Sequence, residues 1–138
     1  EELVEFVRAA SNSEEEFQQA VQDLHQALDK AAEKVGKSTP AEKSLVGQVD
    51  ALIDTLYFTY GSFVLMGVDP ERIFEIVHQA NMGKIFPDGK AHFDPVTHKI
   101  LKPDNWKEKY APEPAIKKEI ERQIKAYERH KERENRMS

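Results

Sequence analysis

Two aspartates stand where aspartate is poorly suited. From Val49 to Tyr60 the chain reads VDALIDTLYFTY, an apolar run with Asp50 and Asp54 inside it. Four residues apart, the two carboxylates share one helix face. Aspartate is a poor helix-interior residue, and an unpaired carboxylate removed from water is costly. Two such groups side by side also repel. The pair therefore asks for a cation, either a lysine or arginine or a metal ion. A solvated stripe of Asp50, Asp54, Tyr57 and Gly61 is the plainer account. Leu52, Ile53, Leu56, Phe58 and Phe63 argue against it, because they leave little angular room for a wet face and should be buried.

A second acidic cluster opens the chain as Glu1-Glu2-Leu3-Val4-Glu5. Glu2 and Glu5 are three apart, Glu1 and Glu5 four, so they too share a helix face. Alone, such a cluster reads as a solvated surface. Two antiparallel helices could instead bring Glu2 and Glu5 to Asp50 and Asp54. A ligand set of carboxylate oxygens without imidazole suits Mg²⁺, with Mn²⁺ as the alternative, rather than zinc or copper.

The elements that must position these groups are helical. Leu3, Val4, Phe6 and Val7 make residues 1–10 the tail of an amphipathic helix, broken by Ser11-Asn12-Ser13. Ser13 and Glu16 form a capping box. The helix that follows buries Phe17, Ala20, Val21, Leu24, Leu28 and Ala31, and Gly36 ends it. Thr39-Pro40-Ala41-Glu42 starts the third helix, which runs to about Met66 with an interruption at Gly61 and a stop at Gly67. Asp69-Pro70 opens a fourth, through about Ala80, with Ile73, Phe74 and Val77 inward. Residues 81–113 are a long irregular loop holding the Pro87-Asp88-Gly89 turn. There His92-Phe93 can pair with Lys99-Ile100-Leu101 across Asp94-Pro95. A last helix runs from Pro114 towards Glu134 with a narrow stripe of Ile116, Ile120, Ile124 and Tyr127. The expected fold class is all-α, a single domain spanning 1–138.

Composition narrows the function. The chain has 138 residues, 20 basic and 25 acidic side chains, a net charge of −5 and no cysteine. Its length suffices to bury a core without a disulfide or structural zinc. The absence of cysteine excludes thiolate chemistry. The acidic balance argues against a nucleic-acid polymer as partner. No apolar run reaches the ~20 residues of a membrane span. The start EELVEF is neither a signal peptide nor an initiator terminus, so part of the natural N-terminus is expected to be missing.

Glu1-Glu2-x-x-Glu5 followed by Asp54-Thr55-Leu56-Tyr57 resembles the all-α nucleoside triphosphate pyrophosphohydrolases. That superfamily includes MazG-type enzymes, dimeric dUTPases and phosphoribosyl-ATP pyrophosphohydrolase. Its pattern is EExxE followed by ExxD. The stretch from Asp50 to Asp69, then Asn81-Met82-Gly83-Lys84, Asp88-Gly89-Lys90 and Lys102-Pro103-Asp104-Asn105-Trp106, is most similar to the phosphoribosyl-ATP pyrophosphohydrolase-like subgroup. Two departures stand out. Ala51 precedes Asp54 by three and Gly47 precedes Asp50 by three, so the strict ExxD is absent and Asp50 stands in for its Glu. The helix from Ser13 to Val35 is inserted between the motifs.

The resemblance implies a MazG-like bundle completed by dimerisation, a homodimer or higher homo-oligomer, located in the cytoplasm. It implies Mg²⁺-dependent hydrolysis of a nucleoside triphosphate to monophosphate and pyrophosphate, with house-cleaning of non-standard nucleotides as the suggested role. The residues permit that chemistry independently. A polyphosphate is repelled by a −5 chain unless divalent cations reverse the local sign. In this reading Glu2, Glu5, Asp50 and Asp54 hold metal, and Glu1 and Glu5 are the carboxylates available to take a proton from water. Asn81 and Lys84 are candidate phosphate contacts, as are Lys90 and Lys102 in the loop. Trp106 could stack on a base, though anchoring the loop suits it better.

Competing chemistries have less behind them. Glu75-Ile76-Val77-His78 is a single Glu-x-x-His, whereas a di-iron bundle needs two plus two further glutamates. No GxxxxGK[ST], G-x-S-x-G or HExxH occurs. The alternative is a non-catalytic dimeric helical module that binds metal or nucleotide through an eroded site.

Overall fold

The computed structural model describes residues 1–37 and 44–137. Its described residues form six helices: α1 (Glu2–Ala10), α2 (Glu14–Gly36), α3 (Leu45–Met66), α4 (Glu71–Met82), α5 (Trp106–Tyr110) and α6 (Glu113–Met137). They fall into two compact units, Glu1–Asp50 and Ala51–Ser138, with the division inside α3. The all-α expectation holds. Among the described residues no single helix is long and apolar enough to cross a membrane.

In the first unit α1 packs against α2. Ser11 breaks α1 with an extended backbone. Arg8 then reaches across the break, pairing with Glu14 at 2.6 Å and lying 4.8 Å over the Phe17 ring. The capping box forms with a shifted return arm. The Ser13 hydroxyl accepts from the Glu16 N–H at 3.1 Å, while the Glu16 carboxylate takes the N–H of Asn12 at 2.7 Å. The Asn12 backbone N–H, then its side-chain amide at 3.0 Å, hold the Glu16 carboxyl below the usual range.

The Thr39–Glu42 start expected for the third helix lies outside the described residues. At the described end of α3 the Ser44 hydroxyl accepts from the Gly47 N–H at 3.3 Å. α3 runs through Gly61 without the expected interruption. One glycine costs a helix only about 1 kcal/mol, and the helix is regular on both sides of it. The stop at Gly67 is as expected. Gly67 has φ 67°, its N–H bonds to the Val64 carbonyl, and the Val68 N–H bonds to the Phe63 carbonyl, both at 3.0 Å. That pair of bonds is a Schellman stop, which needs a residue that tolerates positive φ.

In the second unit α4 packs against α6. A polar pin fixes the N-terminal side of α4. The Gln123 side-chain amide pairs with both backbone groups of Asp69, accepting from its N–H at 2.9 Å and donating to its carbonyl at 3.0 Å. The same amide nitrogen donates to Glu119 at 3.1 Å. Glu119 is only 6% exposed and carries a two-point bond from Arg122, at 2.8 and 2.6 Å, with the Arg72 guanidinium 4.0 Å away. A buried carboxylate persists only when its oxygens are satisfied in this way.

The expected hairpin is present as one isolated antiparallel bridge between Phe93 and Ile100. Asp94 shapes its turn by accepting from the N–H groups of Val96 and Thr97 and from the Thr97 hydroxyl. α5 was not anticipated from the sequence, because a five-residue helix is too short to show periodicity.

Arg122 first, then Gln123, hold the Glu119 carboxyl down to about 2 from a usual 4.5. Its folded pKa lies below its unfolded one, so its stabilising effect is complete above about pH 4.5. That effect is lost as the pH falls from 4.5 towards 2. Acid unfolding followed by circular dichroism should therefore begin within that window. Glu119→Gln should flatten the slope there and lower stability at neutral pH. An unchanged acid limb in the variant would show that Glu119 is not the pin.

Candidate functional site

Asp50 and Asp54 lie one turn apart on the continuous helix α3, both exposed. Their neighbours are not buried as expected. Leu52, Ile53, Leu56 and Phe58 are 66%, 56%, 52% and 76% exposed, and no residue of α3 is buried. The reason is physical: the described chain places too little apolar surface against a helix that is apolar on most sides. Part of the deficit is a groove of about 690 Å³ lined by Leu56, Tyr60 and Phe63 of α3 and Ile73, Phe74 and Val77 of α4.

Glu2 and Glu5 occupy the first turn of α1, and both are exposed. The N–H groups of Val4 and Glu5 bond to the Glu1 carbonyl at 2.9 and 3.0 Å. Among the described residues no three His, Asp or Glu side chains converge on a point that could hold a metal ion. The donor chemistry itself fits a hard divalent cation, since Glu2, Glu5, Asp50 and Asp54 offer only carboxylate oxygens. The Glu75/His78 pair also lacks a third ligand. His78 stacks parallel to Phe74 at 6.4 Å, and both Glu75 and His78 line a cleft of about 700 Å³ with Arg72, Gln79, Lys109 and Tyr110.

The candidate phosphate contacts are better gathered. They stand at the C-terminal end of α4, where four carbonyls lack helical partners. All four are satisfied. Gln79 accepts from the Gly83 N–H, Asn81 from Lys84 and Met82 from Ile85. Ala80 accepts from the Trp106 indole N–H at 2.8 Å. Trp106 is thus the loop anchor that its apolar bulk suggests, and it is 7% exposed. The Asn81 side-chain oxygen accepts from the Lys84 ammonium at 2.7 Å. Lys84 and Lys102 both lie over the Trp106 ring, at 6.0 and 4.2 Å from its centroid.

Lys90 stands on a separate turn. Its carbonyl accepts from the Phe86 N–H at 2.9 Å and its N–H bonds to Asp88 at 3.0 Å. Gly89, at φ 76°, lets this turn close. His92 then clamps it, 2.8 Å from Asp88 and with its ring 4.3 Å from that of Phe86. The His92 hydrogen bond, then the Lys90 N–H, keep the Asp88 carboxyl below its usual range.

Sequence reading missed the contact that sets the loop's closeness to α4. The Tyr110 ring lies flat against Gly83, where a Cβ would come within 2.5 to 2.9 Å of ring carbons. The φ of Gly83 is an ordinary −64°, so the glycine is needed for space rather than for backbone freedom. The one available signal was a glycine just past a helix end within a phosphate-like motif, and it does not name its partner.

The described residues are all-helical, with acidic residues on α1 and α3 and basic residues in the segment after α4. A family model for phosphoribosyl-ATP pyrophosphohydrolase matches residues 1–81, which include both acidic segments. The chain belongs to that family, whose members are hydrolases of phosphoanhydride bonds. The fold matches a crystal structure from Exiguobacterium sp. 255-15, provisionally described as an NTP pyrophosphohydrolase, with a TM-score of 0.80 and 44% identity. That match covers 92% of this chain and 75% of the other. A search of curated proteins finds no match.

Gly83→Ala should force the Tyr110 ring away and lower stability by about 1–3 kcal/mol, the usual cost of overpacking. Thermal unfolding would measure it. An unchanged midpoint would mean that the ring moves freely and that the contact is incidental.

Proposed function

We propose that the chain is a Mg²⁺-dependent nucleoside triphosphate pyrophosphohydrolase that works as a homodimer or higher homo-oligomer. The observation that carries this reading is the span of the family match, which takes in Glu1-Glu2-x-x-Glu5 and the Asp50/Asp54 face of α3 together. Glu2, Glu5, Asp50 and Asp54 are the residues that would hold the divalent cation, with Mn²⁺ as a substitute for Mg²⁺. When bound there, such a cation would offset the local negative charge and supply Lewis-acid activation of the phosphoanhydride.

The chain's own residues do the rest. Glu1, or Glu5 where it is free of the cation, accepts the proton that the attacking water gives up. Asn81 and Lys84 contact the phosphate chain, with Lys90 and Lys102 contributing from the loop. The products are a nucleoside monophosphate and pyrophosphate. Removal of non-standard nucleotides in the cytoplasm is the corresponding role.

The exposed face of α3 supports the oligomer. Leu, Ile and Phe side chains gain roughly 1.5–3 kcal/mol each on burial, and α3 offers many of them. A second copy lying on this face would supply that cover. The non-catalytic alternative draws on the absent ExxD glutamate, and one assay separates the two.

Pyrophosphate release from a panel of ribo- and deoxyribonucleoside triphosphates should require Mg²⁺ or Mn²⁺ and should fall at least 100-fold in Asp54→Asn, as expected when a metal ligand is lost. Release that persists in the variant would sink the assignment of Asp54. Nucleotide binding without release would favour the non-catalytic module.

Light scattering on the eluted protein should give a mass at least twice that of the 15.8 kDa chain. The double substitution Ile53→Asp and Leu56→Asp should lower that mass or abolish soluble protein. A monomeric wild-type chain would refute the α3 interface.

A further inference from the structure

The segment between α4 and α6 gathers positive charge that the carboxylate chemistry does not use. Trp106 is the one tryptophan of the chain. Its indole is fixed by the bond to the Ala80 carbonyl, and Tyr110 packed on Gly83 closes the same segment onto α4. Lys84 and Lys102 are eighteen positions apart in sequence, so the tertiary fold brings both ammoniums to one ring.

A ring quadrupole attracts an ammonium but leaves its N–H donors available. Lys84 gives one donor to Asn81. Among the described residues, neither Lys84 nor Lys102 has a carboxylate within salt-bridge distance. Two ammoniums drawn to one buried ring offer an anion two cationic donors.

We propose that Lys84 and Lys102, held on Trp106, form an oxyanion subsite for the pyrophosphate end of the substrate, able to hold inorganic pyrophosphate without a metal ion. This deepens the hydrolase reading and rests on it for the identity of the substrate. The β,γ end is assigned because it carries most of a triphosphate's negative charge and can accept from two separate ammoniums at once. Asn81 acts through Lys84 by fixing its ammonium. Trp106 is a positioning residue, and its ring is committed to the lysines and does not stack on a base.

The lone tryptophan makes the test direct. Sodium pyrophosphate is titrated into the full-length chain in EDTA at low salt, with Trp106 emission and calorimetry read in parallel. A saturable change is expected, weakening as salt is raised. Lys84→Gln and Lys102→Gln should each weaken binding about tenfold, the effect of losing one charge-assisted hydrogen bond. Lys131→Gln, an exposed charge on α6, should bind as wild type does.

Unfolding midpoints of the glutamine variants separate lost binding from lost folding. A variant that stays folded and binds as wild type overturns the subsite. So does a wild-type chain that gives neither heat nor a change in emission. Binding in EDTA by a chain that never hydrolyses triphosphates would remove the enzyme reading and leave the anion site standing. Metal-dependent hydrolysis by a chain that fails to bind in EDTA would do the reverse.

Discussion

α3 is the constraint on which the rest of the structure depends. It is apolar on most of its circumference, and a helix of that kind is stable in water only when other surface covers it. No residue along it is buried in the chain described here. The same helix carries Asp50 and Asp54, which a cover of ordinary apolar residues could not tolerate. Whatever packs on α3 must therefore meet the apolar positions with apolar surface and leave the aspartates a cation. In the proposed enzyme, assembly and metal binding would be one problem, because the apolar surface to be covered also carries the two aspartates.

α4 shows how the second unit holds its functional loop without a large core. Ala80 and Trp106 are the buried hydrophobic residues among those described. The helix is fixed by polar devices at its two ends. At the start, Gln123 completes the backbone hydrogen bonds of Asp69 and connects them to the Glu119–Arg122 pair. At the finish, the indole N–H completes the Ala80 carbonyl. Both devices satisfy backbone groups that a helix terminus or turn leaves open. A directional bond also sets distance and angle, whereas apolar contact alone sets neither. That suits a segment that must place particular ammoniums.

The longer helices and the Gly67 stop were legible in the sequence because their signals are local, whereas the five-residue α5 was not. The Ser13/Glu16 box, the Gly67 stop and the Asp94 turn each involve residues within a few positions of one another. The hairpin pairing of Phe93 with Ile100 could be read for the same reason. The Glu119–Arg122–Gln123 group was not read from the sequence, although its i, i+3 and i+4 spacing is compatible with contact. Its fourth member, Asp69, is 54 positions away from Gln123 and leaves no trace in local spacing. The contact of Tyr110 with Gly83 and the approach of Lys102 to Trp106 divide in the same way. Lys102 is four positions from Trp106, while Tyr110 must cross the loop to reach Gly83. Lys90 was grouped with Lys84 and Lys102 by charge alone. Among the described residues nothing joins its ammonium to theirs, because the Pro87–Lys90 turn closes on itself.

The split between acidic and basic groups has a further consequence for substrate recognition. Carboxylates attract a polyphosphate only through a cation that they hold, so that half of the chemistry depends on metal concentration. Ammoniums attract it directly and weaken with salt instead. The family match ends at residue 81, after the carboxylates and before Lys84, Lys102 and Trp106. The Exiguobacterium structure nevertheless covers 92% of this chain, so most of the segment beyond residue 81 has a counterpart there. The matched family region thus contains the carboxylates proposed to hold a cation, and the segment after it contains the fixed positive charge. In the proposed enzyme, a ligand drawn by both kinds of attraction carries more than one phosphate, which would favour polyphosphates ahead of any contact with a base or sugar.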